Sequence, residues 1–411
     1  MLPPSEFGRM AERAVSARGT RVTLADGRKL LCGTSGLWNT NLGYGNPAIA
    51  EAVYSALREA SYLSVFRYEN EAARQAADAL VAAACKDSFQ RVIFSTSGGA
   101  ANDLAMKLAR YSWILRGSPH RNLIVGLRGS YHGLTFGAFS LTGEDLGQPS
   151  YGVDRRTIRH TTPNDPEQLR TLVRQQGNKI AAVVVEPVLG TGAIPLTNDF
   201  VEEALRLRAK YGFLLIADEV ATGFGRTGRL FAHQEWPEPP DVAITSKGLT
   251  NGTCAAAALL VSPAVYAYFE RNDSTIMHGE TQAGTPPTSA AIMATLNEMH
   301  RLKALTHAQR VSNRLDEALA RITRDHPFVT GTTGKGCFRS IRLTGASGEP
   351  LATAHVPALV RSIRAAGAIT HPGPHGIQVI PALTYSDSEV DELADCISRG
   401  LNDFTQHMAE A

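Results

Sequence analysis

Charge of neither sign predominates in this sequence. Lysine and arginine number 41 against 39 aspartates and glutamates, and no basic stretch carries the interleaved aromatics that would follow a phosphate backbone. No nucleic-acid partner is expected. Cysteine is scarce too: Cys32, Cys85, Cys254, Cys337 and Cys396 are odd in number, scattered, and never spaced C-x-x-C. That argues against a disulfide framework, a zinc site or a redox pair, and suits free thiols in a reducing compartment. Long hydrophobic runs are missing as well. The longest, CAAAALLV, falls far short of the roughly 20 residues of a membrane span. The opening MLPPSEFGRMAERA has no apolar core of signal-peptide length. These absences predict a cytoplasmic protein that uses neither a metal nor a membrane.

What is present is a chain of 411 residues, long enough for a large domain and a smaller one. Short apolar runs recur with helical stretches between them: RVIFS (91–95), NLIVGL (122–127), KIAAVVVEP (179–187), FLLIADE (213–219), DVAITSK (241–247) and AALLVS (257–262). That alternation predicts an α/β fold with a mostly parallel sheet. Leu104, Leu108, Tyr111 and Leu115 repeat at helical spacing and give one apolar face to lay on it; residues 202–210 read as another such helix. From about residue 300 the texture changes to an Arg- and Ala-rich helix, short strands (CFRSIRL, GIQVIPAL) and a final amphipathic helix near 387–403. The expected organisation is an N-terminal segment, 1–45, packing with a small α+β domain, 301–411, and a large domain, 46–300. RVTLADGRKLLC in the first part reads as a hairpin around Asp26 and Gly27.

Four strands end in something chemically specific. The first runs into STSGGAAN ahead of a helix, so Ser97, glycines and first-turn amides could surround an anion such as a phosphate. A tight turn with no ligand remains the alternative, and the Lys-Ser/Thr pair of a Walker A loop is missing. The other three deliver Glu186 with Pro187, Asp218 with Glu219, and Lys247. A lysine at the end of a buried strand is costly to hold charged and is poised as a nucleophile. Such an amine condenses with aldehydes, and the natural cofactor carrying both an aldehyde and a phosphate is pyridoxal phosphate. Its ring nitrogen needs a buried anion, a role that suits Asp218. An ordinary salt bridge is the plainer reading of each residue alone; the conjunction favours the cofactor.

The residues that carry this pattern resemble the class III aminotransferases, pyridoxal-phosphate enzymes of fold type I that include ornithine, 4-aminobutyrate and ω-amine transaminases. The resemblance runs from SGLWNTNLGYGNPAI through FSTSGGAANDLAMKLAR, GSYHG, VVVEPVLGTGA, IADEVATGFGRTG and TSKGLTNG to HGETQAGTPP. It implies a seven-stranded, mostly parallel sheet in the large domain. It also implies that Lys247 binds the cofactor as a Schiff base and moves protons, that Asp218 pairs the ring nitrogen, and that Val220 and Tyr131 cover the two ring faces. Ser97, Gly98 and Gly99 would hold the phosphate, with Thr281 reaching it from the other subunit of a homodimer with shared sites. The resemblance leaves Thr281 the alternative of a plain turn residue. Glu186 and His132 join the cofactor-binding set, His132 through a structural hydrogen bond. Trp38 is either a substrate-pocket aromatic or interdomain packing, and Arg226 either a loop-stabilising residue or a substrate contact.

Departures from the family pattern are as informative. Gly99 and Ala100 stand where Ser or Thr followed by Glu is usual, Ala221 replaces a Gln, Gln282 an aromatic, and Leu189 a Gln, the last three expected to widen or neutralise the pocket beside the cofactor. Gln378 stands where many members place an arginine against a substrate carboxylate, and a neutral amide cannot replace that charged fork. The expected function is transfer of an amino group from a donor to a carbonyl acceptor in two ping-pong half-reactions, with at least one substrate lacking a free α-carboxylate. A ketone or aldehyde on a modified peptide in natural-product biosynthesis is one such acceptor. The alternatives are an aminomutase or epimerase of the same fold, and a catalytically impaired pyridoxal-phosphate-binding protein.

Overall fold

A computed structural model describes residues 12–85, 87–345 and 348–410; most of the opening stretch read above for a signal sequence, residues 1–11, lies outside the described residues. Contacts divide the chain into two units, one of residues 48–298 and one of residues 1–47 with 299–411.

In the first unit the apolar runs become strands of a seven-stranded sheet in the order Arg91–Ser95, Ala257–Val261, Val242–Thr245, Leu214–Asp218, Ile180–Val185, Leu123–Leu127 and Ile158–Thr161. Neighbours pair in parallel except that Ala257–Val261 runs antiparallel to both of its partners. The central strands are buried along their whole length, as sheets covered on both faces require. Their alternation sorts side chains onto two cores. Leu214 and Ile216 join Leu104 and Leu108 of the Gly98–Leu115 helix, while Phe213 and Leu215 join Phe200, Ala204 and Leu207 of the Asn198–Tyr211 helix. The strand Ile158–Thr161 (IRHT) is absent from the apolar runs of the sequence. It is an edge strand paired only to Leu123–Leu127 and half-buried in its middle, so it never needed an apolar pattern.

In the second unit, Arg21–Leu24 and Lys29–Cys32 pair antiparallel as the expected hairpin, with Gly27 at φ +88° and Asp26 Oδ1 accepting from the Arg28 amide at 3.1 Å. Ala14–Arg18 extends this ribbon on one side, and Ala368–Ile369, from the far end of the chain, adds to Lys29–Cys32 in parallel on the other. A second sheet orders Val329–Lys335, Phe338–Leu343, Gly376–Val379 and His371–Gly373. The helices Val356–Ala365 and Asp387–Glu410 cross so closely that a Cβ on Gly400 would lie 2.5 Å from Ile363 Cα, a position that tolerates only glycine. Among the described residues no helix is long and apolar enough to cross a membrane, and no cluster of three His, Cys, Asp or Glu residues could hold a metal.

Candidate active site

The strand Leu214–Asp218 delivers two carboxylates to opposite sides, because successive side chains on a strand alternate. Asp218 is 2% exposed. Its Oδ2 accepts from Asn102 Nδ2 at 2.8 Å and from His132 Nδ1 at 2.7 Å, and its Oδ1 from the Val220 amide at 3.0 Å. Glu219 is fully buried elsewhere: Oε1 accepts from the His233 amide at 2.7 Å and from its Nδ1 at 2.9 Å, and Oε2 from the Thr222 hydroxyl. Each ring proton is assigned to the nitrogen that faces a carboxylate. Glu219 thus anchors the loop that follows, and Asp218 is the one of the pair set among the candidate site residues.

The Gly98–Leu115 helix begins beside Asp218. Ser97 is its N-cap, its hydroxyl accepting from the Ala100 amide at 3.2 Å while keeping its own proton to donate. The amides of Gly98 and Gly99 belong to the first turn and have no helical acceptor. Asn102, one turn further on, also donates to the carbonyls of Gly98 at 3.0 Å and His132 at 3.2 Å. One buried amide therefore ties the glycine turn, the GSYHG loop and Asp218 together. The two loops meet backbone to backbone: Gly133 has φ +127°, and a Cβ there would lie 2.6 Å from Gly99 Cα. A Cβ on Gly98 would lie 3.0 Å from a Val220 methyl, so the missing side chains are what leave room between the turn and Val220. Asn102 escaped the sequence reading although it sits inside a motif already quoted; its place one helical turn after Gly98 in STSGGAAN was the available signal.

Three groups here are displaced from their ordinary ionisation. Burial pulls the Lys247 ammonium down to about 8, against the pull of Asp218 and Glu186. Lys247 opens a short 3-10 turn with φ +47°, just past Val242–Thr245, and remains partly exposed. Glu186 is pushed up to about 7 by burial, despite His132 nearby and backbone donors from Tyr131 and Gly190, both at 2.9 Å. For His132, burial works downward but is outweighed by the hydrogen bond and charge of Asp218 and the charge of Glu186, so its pKa rises. Opposed shifts of this kind, in one cluster, are characteristic of reactive sites. Tyr131 keeps 39% of its surface exposed and so is accessible to a ligand.

Other residues singled out in the sequence stand on further segments of the chain, and one of them, Arg226, is near enough for its charge to help lower the Lys247 pKa. Thr281 is exposed on the turn before the Pro286–Arg301 helix. That turn is fastened by Glu280, whose carboxylate accepts from Ser95 Oγ at 2.5 Å, from the Thr96 amide at 3.1 Å and from the Thr96 hydroxyl. Trp38 and Gln378 belong to the other unit. Trp38 packs on Phe338 and His371, with ring centroids 5.1 and 5.4 Å apart. Gln378, 2% exposed, is registered opposite Ser340 and His371, so the three line one face of the small sheet. Arg226 is fully buried. Leu189 needs correction: counted above among the changes beside the cofactor, it is 1% exposed and packs with Leu123, Val185 and Phe200 in the core.

The arrangement fits pyridoxal phosphate. A buried carboxylate held by three donors can serve a cationic ring nitrogen, a helix start with two glycines can take a phosphate, and a lysine with a lowered pKa lies in the same unit. Residues 7–401 match the family model described as Aminotransferase class-III. A diaminobutyrate–2-oxoglutarate transaminase of Halomonas elongata is 28% identical over 94% of this chain and 89% of its own length. An acetylornithine aminotransferase of Mycolicibacterium smegmatis is 31% identical over 94% and 93%. Among solved structures, an amine transaminase from an uncultivated Pseudomonas species in its pyridoxal-phosphate-bound form superposes with a TM-score of 0.92 at 27% identity, covering 98% of this chain and 96% of that one. The chain belongs to the class-III aminotransferases and is a pyridoxal-phosphate-dependent enzyme of fold type I.

Proposed function

We propose that this aminotransferase carries out two ping-pong half-reactions in which at least one partner, donor or acceptor, lacks a free carboxylate on the reacting carbon. Pyridoxal phosphate, when bound, supplies an aldehyde and an electron-withdrawing ring. Lys247 Nζ would hold it covalently and, with its lowered pKa, take and return a proton near neutral pH. Asp218, held in place by donors from Asn102, His132 and the Val220 amide, would present its carboxylate to the ring nitrogen. Glu186, through the Tyr131 amide, fixes the loop on which that aromatic ring stands. Ser97, Gly98 and Gly99 would take the phosphate.

The observation that carries the substrate reading is Gln378, a neutral side chain buried to 2% exposure at the position where many relatives of this type carry an arginine. A substrate carboxylate must shed its water to enter a closed site, which costs several kcal/mol without a charged partner. The bulkier, carboxylate-free carbonyls avoid that cost, and a ketone or aldehyde at the end of a modified peptide is one candidate. The test compares 2-oxoglutarate and pyruvate with bulky carboxylate-free ketones and aldehydes, in the wild type and in Gln378→Arg. The expected outcome is poor kcat/KM for at least one keto acid in the wild type and a gain of about tenfold or more in the variant, the effect of supplying one charged partner. Efficient use of both keto acids, unchanged by the arginine, overturns it. Release of a free keto product separates transamination from an aminomutase or epimerase reaction.

A homodimer with shared sites is part of the same proposal. Tyr62, Val65, Phe66 and Tyr68 are 40–56% exposed, a concentration of apolar surface that suits burial by a partner. This segment lies against the turn carrying Thr281: a Cβ on Gly279 would lie 2.3 Å from Phe66 Cε1, and one on Gly284 3.1 Å from a Val65 methyl. A second copy covering the segment would bring the Thr281 turn to the boundary between subunits.

A further inference from the structure

At the opposite end of the Leu214–Asp218 strand from Asp218, about 13 Å away at the usual rise per residue, lies a cavity of about 510 Å³. Arg116, Arg208 and Arg271 line it with Phe213, Ala264, Ala267 and Tyr268, and Asp241 is its one acidic lining residue. Each arginine lies at or near the carboxyl end of a helix, Gly98–Leu115, Asn198–Tyr211 or Pro263–Arg271, where a cation complements the helix dipole. That accounts for their positions but not for how they are partnered.

Asp241 is already committed. Its Oδ2 accepts from the Leu215 amide at 2.8 Å and lies 3.7 Å from Arg208, which also donates to the Pro239 carbonyl at 2.8 Å and pairs with Glu238. Among the described residues Arg116 has no such partner. Its guanidinium carbon lies over the rings of both Trp113, at 4.6 Å, and Tyr268, at 4.2 Å, cation–π contacts that hold the group without using its N–H donors. Its Nε is buried without a hydrogen-bond partner among the described residues. Arg271 reaches the same Tyr268 ring at 5.8 Å. Burial works against the Arg116 charge, with Tyr268 and Asp241 offsetting it only in part. A desolvated guanidinium with an unused fork, a second arginine on the same ring, and an excess of positive charge in a preformed cavity are the parts of an oxyanion site.

We infer that the cavity bounded by Arg116, Tyr268 and Arg271 binds a small-molecule oxyanion, a carboxylate or a phosphate, at a site separate from the catalytic one. The planar fork of Arg116 supplies bidentate hydrogen bonds, Arg271 a second charge, and Ala264, Ala267 and Phe213 an apolar floor for the body of the ligand.

The test uses the holoenzyme, whose own phosphate site is filled by the cofactor. Its Tm is measured against increasing inorganic phosphate and, separately, succinate, at ionic strength held constant with sodium chloride, while the cofactor's visible absorbance is followed. The expected result is a saturable rise in Tm with at least one anion, with the absorbance unchanged, and a midpoint concentration raised tenfold or more in Arg116→Met and in Arg271→Met. A response to phosphate alone assigns phosphorylated ligands, one to succinate alone carboxylates, and one to both any oxyanion of that size. Both variants should keep wild-type turnover at low anion concentration. Should Arg116→Met fail to fold, Arg271→Met, whose side chain is exposed, decides. Absence of a saturable rise with either anion, or a rise that neither substitution alters, overturns the inference.

Discussion

Asp218 is held by three donors, and which of them is removed decides what fails. Asp218→Asn keeps the shape but not the charge, so cofactor should remain bound while kcat falls by on the order of 10²–10³, the scale of losing one preorganised electrostatic contact. Visible absorbance and single-turnover rates check this together. Asn102→Ala instead leaves Oδ2 short of a buried hydrogen bond and releases two carbonyls; it should cost about 1–3 kcal/mol in a denaturant melt. Lys247 has its own signature. Its folded pKa of about 8 lies below the ordinary 10.5, so the neutral, nucleophilic amine grows as pH rises through 8. The rate at which apoenzyme takes up pyridoxal phosphate should therefore climb between pH 7 and 9 and level off above, and a midpoint near 10 would refute the shift. The linked stability has a definite sign. The unfolded chain holds this proton up to about 10.5 and the folded chain only to about 8, so between those values the unfolded state binds more protons and apoenzyme stability rises with pH.

At the level of elements, the site depends on two loops pressed together and on a core beneath them. Gly133→Ala sets a Cβ 2.6 Å from Gly99 Cα at φ +127°, a conformation that costs a side chain on the order of 1–3 kcal/mol. The displaced backbone is the phosphate turn, so the expected outcome is a raised cofactor Kd by equilibrium dialysis, larger in effect than the loss in Tm. Leu189→Ala should behave in the opposite way. It removes a side chain buried among Leu123, Val185 and Phe200 and should cost about 2–5 kcal/mol, while folded enzyme keeps its cofactor absorbance. Leu189→Met, nearly equal in volume, should cost less than about 1.5 kcal/mol. A Leu189→Ala variant of full stability with altered substrate choice would return this residue to the pocket.

For the whole molecule the decisive question is whether one chain suffices. If Thr281 of one subunit completes the site that holds the other's Lys247, mixed Lys247→Ala and Thr281→Val chains form heterodimers with one site intact and one broken twice. Random reassortment then restores about a quarter of wild-type activity from two poorly active parents, since half of the dimers are mixed and half of their sites are whole. Activity no higher than the mean of the parents would show that each site is built from one chain. Light scattering on the same samples fixes the oligomeric state.

The sequence by itself determined the α/β class, the pyridoxal-phosphate chemistry and the family, because each rests on short contiguous signals: strand-length apolar runs, a glycine turn before a helix, a carboxylate pair and a lysine at strand ends. Only the tertiary structure decided how the members of the site are divided. Asp218 and Glu219 are indistinguishable as letters, and the alternation of the strand sends one to His132 and Asn102 and the other to His233 and Thr222. Ile158–Thr161 carried no apolar signal because an edge strand buries little, and Leu189 looked like a pocket residue because its motif lies beside one. The pairing of Asn102 with Asp218 spans 116 residues, and no local pattern encodes a contact that exists only once the helix after Arg91–Ser95 is laid across the sheet to the end of a strand three places away.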